Sequence, residues 1–253
     1  MTSDLRCAEH DIRKIESLLL GHEITRSYFR GELYDWLESR FDGIFLELIE
    51  KQPVKLDMET SARLFMIPDK STARVLNVNE HGNAPAGMKI HFFNSFVPDG
   101  DQNSVIVFRM EKMPGVWCDA LYIDTMMLRP DAPAGLCTVA FGLMAVTAWR
   151  LGFDHIQVYA AGRGPLCPRD SDAMIGYCIW PKFGFDAPVN VAEMSRHPTV
   201  SMHGLCTVQE VVARTPEWWD ACGSGRLMQF DLYPTSQSWS ILIKYLWTTL
   251  TDF

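Results

Sequence analysis

The sequence predicts an α/β fold in which a mixed twisted sheet is flanked by helices, with a helical extension before it and a helical cap after it. Three observations point there. Helix-periodic segments come first, strand-like segments follow from about residue 86, and then a strand, an apolar helix and a second strand succeed one another between residues 116 and 161. Such a crossover within one sheet is right-handed and leaves its two strands parallel. The chain has 253 residues, 47% of them hydrophobic, enough for one core with additions or for two small ones.

From Asp11 to Leu20, the apolar Ile12, Ile15, Leu18 and Leu19 recur at helical spacing with charges between them. A second helix is predicted from Ser27 to Ile49. There Tyr28, Leu33, Trp36, Leu37, Phe41, Ile44, Phe45 and Leu48 mark an apolar face, and Gly43 is a point of interruption. Asp57 is an N-cap for a short helix reaching Met66. These elements make residues 1–85 a helical extension, closed by the Gly-, Pro- and Asn-rich loop His81–Gly87.

The grammar then changes. Met88–Phe93 and Ser104–Met110 read as strands separated by a turn-rich stretch. Val116–Leu128 is almost continuously apolar, interrupted by Asp119 and Asp124, which suits a central strand covered on both faces. Pro130 and Pro133 break it. Gly135 opens a helix that runs to about Leu151 with Arg150 as its only charge, so it is expected to be buried. Gly152 ends that helix, and His155–Ala161 is the next strand. The core is assigned to residues 86–190.

Residues 191–253 form the predicted cap. Thr207 and Glu210 make a capping box, and Thr215-Pro216-Glu217 is a further helix start. Arg226–Tyr233 resembles a strand. Pro234–Leu250 reads as a helix, with Trp239, Ile241, Leu242, Tyr245 and Leu246 available to pack.

Composition excludes several classes. A net charge of −8 argues against coating nucleic acid, which needs clustered Lys and Arg. Cys7, Cys118, Cys137, Cys167, Cys178, Cys206 and Cys222 are odd in number and dispersed, without a Cys-x-x-Cys pair. Free thiols in a reducing compartment fit this better than a disulfide framework. The histidines show no metal-site spacing, so no metal is expected. The longest uncharged run, Gly135–Trp149, is shorter than the roughly 20 residues a bilayer demands, and the polar start of the chain has no signal-like apolar stretch. The expectation is a cytoplasmic protein without membrane or nucleic-acid partners. The amphipathic faces of the first helices serve equally for packing on the sheet or for a homodimer.

The strand, loop and helix from Leu121 to Leu151 carry the functional signal. A helix start leaves backbone N–H groups unpaired, and a small-residue loop lets a pyrophosphate reach them. Ala132, Pro133, Ala134, Gly135 and Thr138 supply such a loop. The stretches Leu128-Arg129-Pro130, then Gly135, then Ala148–Ile156, and later Trp180-Pro-Lys-Phe-Gly-Phe185, resemble the central strand, phosphate loop, long helix and later strand start of the GNAT family of N-acetyltransferases. The resemblance covers roughly Met88 to Pro188. It implies that acetyl-CoA is the cofactor, with pantetheine between two splayed strands along Asp124, Met126, Met127 and Leu128. Arg129 then supplies charge, and Ala134, Gly135, Leu136, Cys137 and Thr138 hold the pyrophosphate. Arg163 is either a further phosphate contact or a solvated loop residue.

The resemblance further implies a proton acceptor and a proton donor. Asp119 and Asp124 are an odd number of residues apart and so fall on opposite strand faces; Asp124, nearer the splayed region, is the expected base. It reads equally as a polar core residue paired with a neighbour. Trp180 stands where many family members have a tyrosine that protonates the thiolate. Tyr177, about one helical turn earlier, is the substitute, ahead of Tyr159 and Cys178, and is otherwise a packing residue. Family loops usually carry a basic residue and a second small residue, where this chain has Ala132 and Cys137 when Gly135 is taken as the first glycine. The implied activity is transfer of an acyl group, acetyl by expectation, to a primary amine on a small molecule or protein. The alternative is a GNAT-shaped binding or regulatory module without transfer activity, which Trp180 and the altered loop motivate. A weaker likeness links Gly176–Asp186, Trp218-Trp219, Phe230-Asp-Leu232 and Ser238-Trp239 to GNAT-like domains of large bacterial and phage-borne proteins, some toxin-like. It implies a bacterial cytoplasmic protein or an effector delivered into another cell.

Overall fold

In the computed structural model, which describes residues 2–165 and 174–251, six strands form one mixed sheet. The chain begins with helices α1 (Thr2–Gly21) and α2 (Glu23–Tyr28), a small pair β1 (Ile44–Leu46) and β2 (Val54–Leu56), and helix α3 (Met58–Leu64). Strands β3 (Thr72–Val78), β4 (Gly87–Phe93), β5 (Asn103–Met113) and β6 (Val116–Thr125) follow. Helix α4 (Leu136–Leu151) then crosses to β7 (His155–Arg163). After α5 (Gly176–Ile179), α6 (Val191–Met194), α7 (Val208–Arg214) and α8 (Pro216–Cys222) come β8 (Ser224–Asp231) and α9 (Gln237–Thr251).

The order in the main sheet is β3-β4-β5-β6-β7-β8. All neighbours are antiparallel except β6 and β7, the two strands that α4 joins. One face carries the main core. Ile12, Ile15 and Leu19 of α1, Leu64 of α3, Val139, Phe141 and Met144 of α4 and Leu242 and Leu246 of α9 cluster there with Ile90, Val105, Leu121, Ile123, Ile156 and Val158 of the sheet. Phe141 stacks on Phe183 at 5.2 Å and meets Trp180, Phe185 and Phe230 edge-on or tilted, which ties α4 to the last third of the chain. The opposite face carries a smaller cluster of Ile106, Phe108, Ala120 and Tyr122.

Several sequence expectations change. The helix expected from Ser27 to Ile49 does not form: α2 ends at Tyr28 and the rest is turns with β1 at its end. The backbone N–H groups of Arg30, Gly31 and Glu32 converge on the buried Asp69 carboxylate at 2.9–3.1 Å, a partner no helix would leave them. At Gly31 the backbone is left-handed, and a Cβ there would lie 2.6 Å from the Glu59 backbone nitrogen. Trp36 and Leu37, expected on the apolar face of that helix, are 62% and 80% exposed. The first 85 residues are also not wholly helical, since β3 lies within them and pairs with β4 along its length. Strand β6 stops at Thr125 and not at Leu128. The strand of the C-terminal segment, β8, joins the main sheet against β7.

Other local readings hold for plain reasons. Asp57 caps α3 through the Thr60 N–H, and the Thr207–Glu210 capping box starts α7. Helix α4 is buried along most of its length and ends at Gly152 in the left-handed conformation. Six of the cysteines are free thiols; Cys167 lies outside the described residues. Among the described residues, no helix is long and apolar enough to cross a membrane.

Candidate functional site

The parallel pairing of β6 and β7 is short. It runs from Ala120 with His155 to Ile123 with Val158. Beyond it each strand keeps only its outer partner: Thr125 pairs with Ser104 of β5, while Tyr159 and Ala160 pair with Leu227 and Arg226 of β8. Two strands held by different neighbours and not by each other leave unpaired backbone edges between them. The gap lies at the carboxyl ends of the parallel strands, beside the start of α4.

Asn103 extends the β5 side of this arrangement. Its buried side-chain amide donates to the Met127 carbonyl (2.9 Å) and accepts the Met127 N–H (2.7 Å), doing with a side chain what a strand partner would do. Met127 is thereby held toward β5.

Asp124 follows the last parallel pair on β6. Its carboxylate accepts from Lys89 Nζ at 2.6 Å and from Ser104 Oγ at 2.9 Å. Asp119 uses the other face, where it accepts from Arg109 Nε at 3.1 Å and from the Ile49 N–H. Period-two alternation predicted this separation. Beside Asp124, Tyr122 is pushed up to about 12, first by burial and then by the charges of Asp124 and Tyr159. His91, whose backbone pairs with Ser104, is lowered by burial and by Lys89 and Arg74. Lys89, His91, Ser104, Tyr122, Asp124 and Tyr159 therefore share one polar region of the less covered face.

At the start of α4, Gly135 is the N-cap with φ 79° and no side-chain cap. A Cβ on Gly135 would sit 3.3 Å from Ile24 Cδ1, so this corner is both left-handed and tight. The Leu136 N–H donates to Pro133 O at 3.0 Å. Thr138 is only 7% exposed, and its hydroxyl has no hydrogen bond among the described residues. Ala134 is exposed, Leu136 is buried and Cys137 is half-buried. Burial pushes the Cys137 thiol up to about 11, which disfavours the thiolate a nucleophile needs.

No protein-family model, curated protein or solved structure matches this chain.

The remaining predicted residues lie as follows. Met126 and Leu128 are partly buried against the main core. Arg129 is turned to Asp131 (3.0 Å), and its backbone N–H donates to Phe96 O. Tyr177 is fully buried, and its hydroxyl donates to the Asp220 carbonyl at 2.7 Å while its own carbonyl accepts from Trp219 Nε1 at 2.9 Å. Burial also pushes the Tyr177 pKa above the ordinary tyrosine value, making the hydroxyl a poorer acid. Cys178 donates to Ile175 O, and Arg163 ends β7 opposite Ser224. The structure thus brings Asp124 together with Lys89, Ser104 and Tyr159, and commits Tyr177 elsewhere.

Sequence reasoning missed two features. A cavity of about 510 Å³ between α6 and β8 is lined by Glu193, Arg196 and Arg226, with Arg226 bonded to both Glu193 carboxylate oxygens at 2.7 and 2.8 Å. At the far end of the β6–β7 pair, Cys118, Asp154 and His155 converge. Only the strand register brings Cys118 to the Asp154-His155 dipeptide, so no spacing in the sequence announces it.

Proposed function

We propose that the protein is an acyl-CoA-dependent N-acyltransferase, acetyl by first expectation, acting on a primary amine of a small molecule or protein. The observation that carries this reading is the early end of the β6–β7 pairing, with strand edges left open directly before an uncapped helix start. A pantetheine arm is an extended chain with amide groups and suits such edges. In an extended chain, N–H and C=O groups alternate sides. With Met127 held toward β5, the backbone groups of Met126 and Leu128 are the ones offered to β7 and to pantetheine. The Cys137 and Thr138 N–H groups, the Thr138 hydroxyl and the helix dipole suit a pyrophosphate.

In the proposed reaction the amine nitrogen attacks the thioester carbonyl carbon. The C–S bond breaks as the tetrahedral intermediate collapses, and the ammonium proton passes to Asp124, directly or through water. Lys89 must swing from Asp124 for this to happen, and an arriving ammonium is the natural replacement for it. The thiolate takes its proton from Tyr159, the phenol at the gap. Tyr177 is the lesser candidate because its hydroxyl is held by Asp220.

A second reading, a binding or regulatory module without transfer, is favoured by the Lys89–Asp124 ion pair at 2.6 Å, which leaves the base already neutralised. One experiment separates them. Isothermal titration with acetyl-CoA is followed by a thiol-release assay on an amine panel that includes polyamines, amino acids and lysyl peptides. Turnover that falls at least about 100-fold in Asp124→Asn, with cofactor binding kept, supports the enzyme. Binding without turnover on any amine supports the module, and no binding at all removes both.

A further inference from the structure

We infer that Cys118, Asp154 and His155 form a binding site for a divalent cation of the zinc type, separate from the gap at the other end of β6 and β7. The Cys118 Sγ, a carboxylate oxygen of Asp154 and a ring nitrogen of His155 lie within 4.8 Å of one another. A small contraction brings sulfur, nitrogen and oxygen to the distances that a tetrahedral ion needs, about 2.0–2.3 Å from a common centre.

The donors come from rigid places. Cys118 is on β6 where it pairs with Met110, and His155 is the first residue of the parallel pair, opposite Ala120. Asp154 is fixed by its backbone N–H, which donates to Asp119 O at 3.0 Å.

His155 is 3% exposed, and its Nδ1, 3.0 Å from Asp154 Oδ2, is the ring nitrogen that faces the cluster; ligation through it replaces that hydrogen bond. A borderline-soft ion satisfies a ring nitrogen, a thiolate and a carboxylate at once, whereas calcium or magnesium has no use for sulfur or nitrogen. On binding, the Cys118 thiol releases its proton to water and forms the sulfur–metal bond. Lys112, now 2.8 Å from Asp154 Oδ1 and more than half exposed, is free to swing into solvent. A water completes the coordination. The ion would pin β6 to β7 at the start of their pairing, leaving the other end open.

The test uses the full chain, stripped with a chelator and titrated with Co²⁺. Expected are one equivalent bound, a near-ultraviolet thiolate-to-cobalt charge-transfer band, visible bands of tetrahedral intensity, and displacement by Zn²⁺. Cys118→Ser should abolish the charge-transfer band and weaken binding at least about tenfold. Asp154→Asn should weaken binding while keeping the band, and it serves as the milder variant should His155→Asn not fold. Absence of the band in the wild type, or a band that survives in Cys118→Ser, overturns the proposal.

Discussion

Asp124 and Tyr159 are the first residues of β6 and β7 beyond their last parallel pair, Ile123 with Val158. Alternation puts both side chains on the face of Tyr122 and Gln157, which pair two residues earlier. Tyr122 registers both groups: burial first, and then the charges of Asp124 and Tyr159, hold its hydroxyl protonated up to about 12. An acidic and a phenolic group thus flank the mouth of the gap, one per strand.

This arrangement orders the two tyrosines. Tyr159→Phe should lower turnover by about tenfold or more and leave acetyl-CoA affinity within about threefold. Tyr177→Phe should act on stability, because it strips a donor from the Asp220 carbonyl, at about 1 kcal/mol. Steady-state kinetics beside urea unfolding of each variant separates these effects. The reverse pattern would return the donor role to Tyr177.

Phe141 joins α4 to the last third of the chain through four aromatic neighbours. Phe141→Ala should cost about 3–5 kcal/mol by transfer and cavity terms together. Equilibrium urea unfolding reads this directly, and a loss below about 1 kcal/mol would mean the cluster is not packed as described.

Asp69 is 6% exposed and accepts three successive backbone N–H groups. Asp69→Ala leaves these donors without their anion and should cost about 2–4 kcal/mol. Asp69→Asn, which keeps one acceptor oxygen, should cost less. Chemical denaturation of the two variants gives the ranking.

His91 has a folded-state proton affinity below its ordinary 6.5, through burial and the charges of Lys89 and Arg74. The unfolded chain therefore takes the proton first as pH falls. Its contribution to stability is complete above about pH 6.5 and is lost as pH drops toward the lowered folded value. The urea midpoint should fall between about pH 7.5 and about pH 5.5, and His91→Gln should make that fall shallower. An unchanged slope in the variant would contradict the assignment.

Much of the sheet was legible because its signals are local. Helix α4 reads from an apolar run ending at Gly152, and the opposite faces of Asp119 and Asp124 follow from strand periodicity alone. The stretch from Ser27 to Ile49 was not legible. Its apolar residues recur as in a helix, but Asp69, distant in sequence, draws off the backbone donors of Arg30 to Glu32, and Asp35 Oδ1 takes those of Leu37 and Ser39. Strand β3 was missed because its burial does not alternate cleanly and its evidence is its pairing with β4. At the site, Asp124 was visible, but Lys89 and Ser104 arrive from β4 and β5 by register. The partner of the Tyr177 hydroxyl lies on α8, 43 residues away in sequence, so no local spacing announces that this hydroxyl is committed.

The central claim is that the gap and the start of α4 receive a nucleotide-tailed thioester. Amide hydrogen exchange with and without saturating acetyl-CoA tests it most directly. The account predicts slowed exchange at Cys137, Thr138, Met126 and Leu128 and in Tyr159–Gly162, with the rest of the sheet little changed. Unaltered exchange at those amides, or protection confined to the cavity beside Glu193 and Arg226, would contradict it.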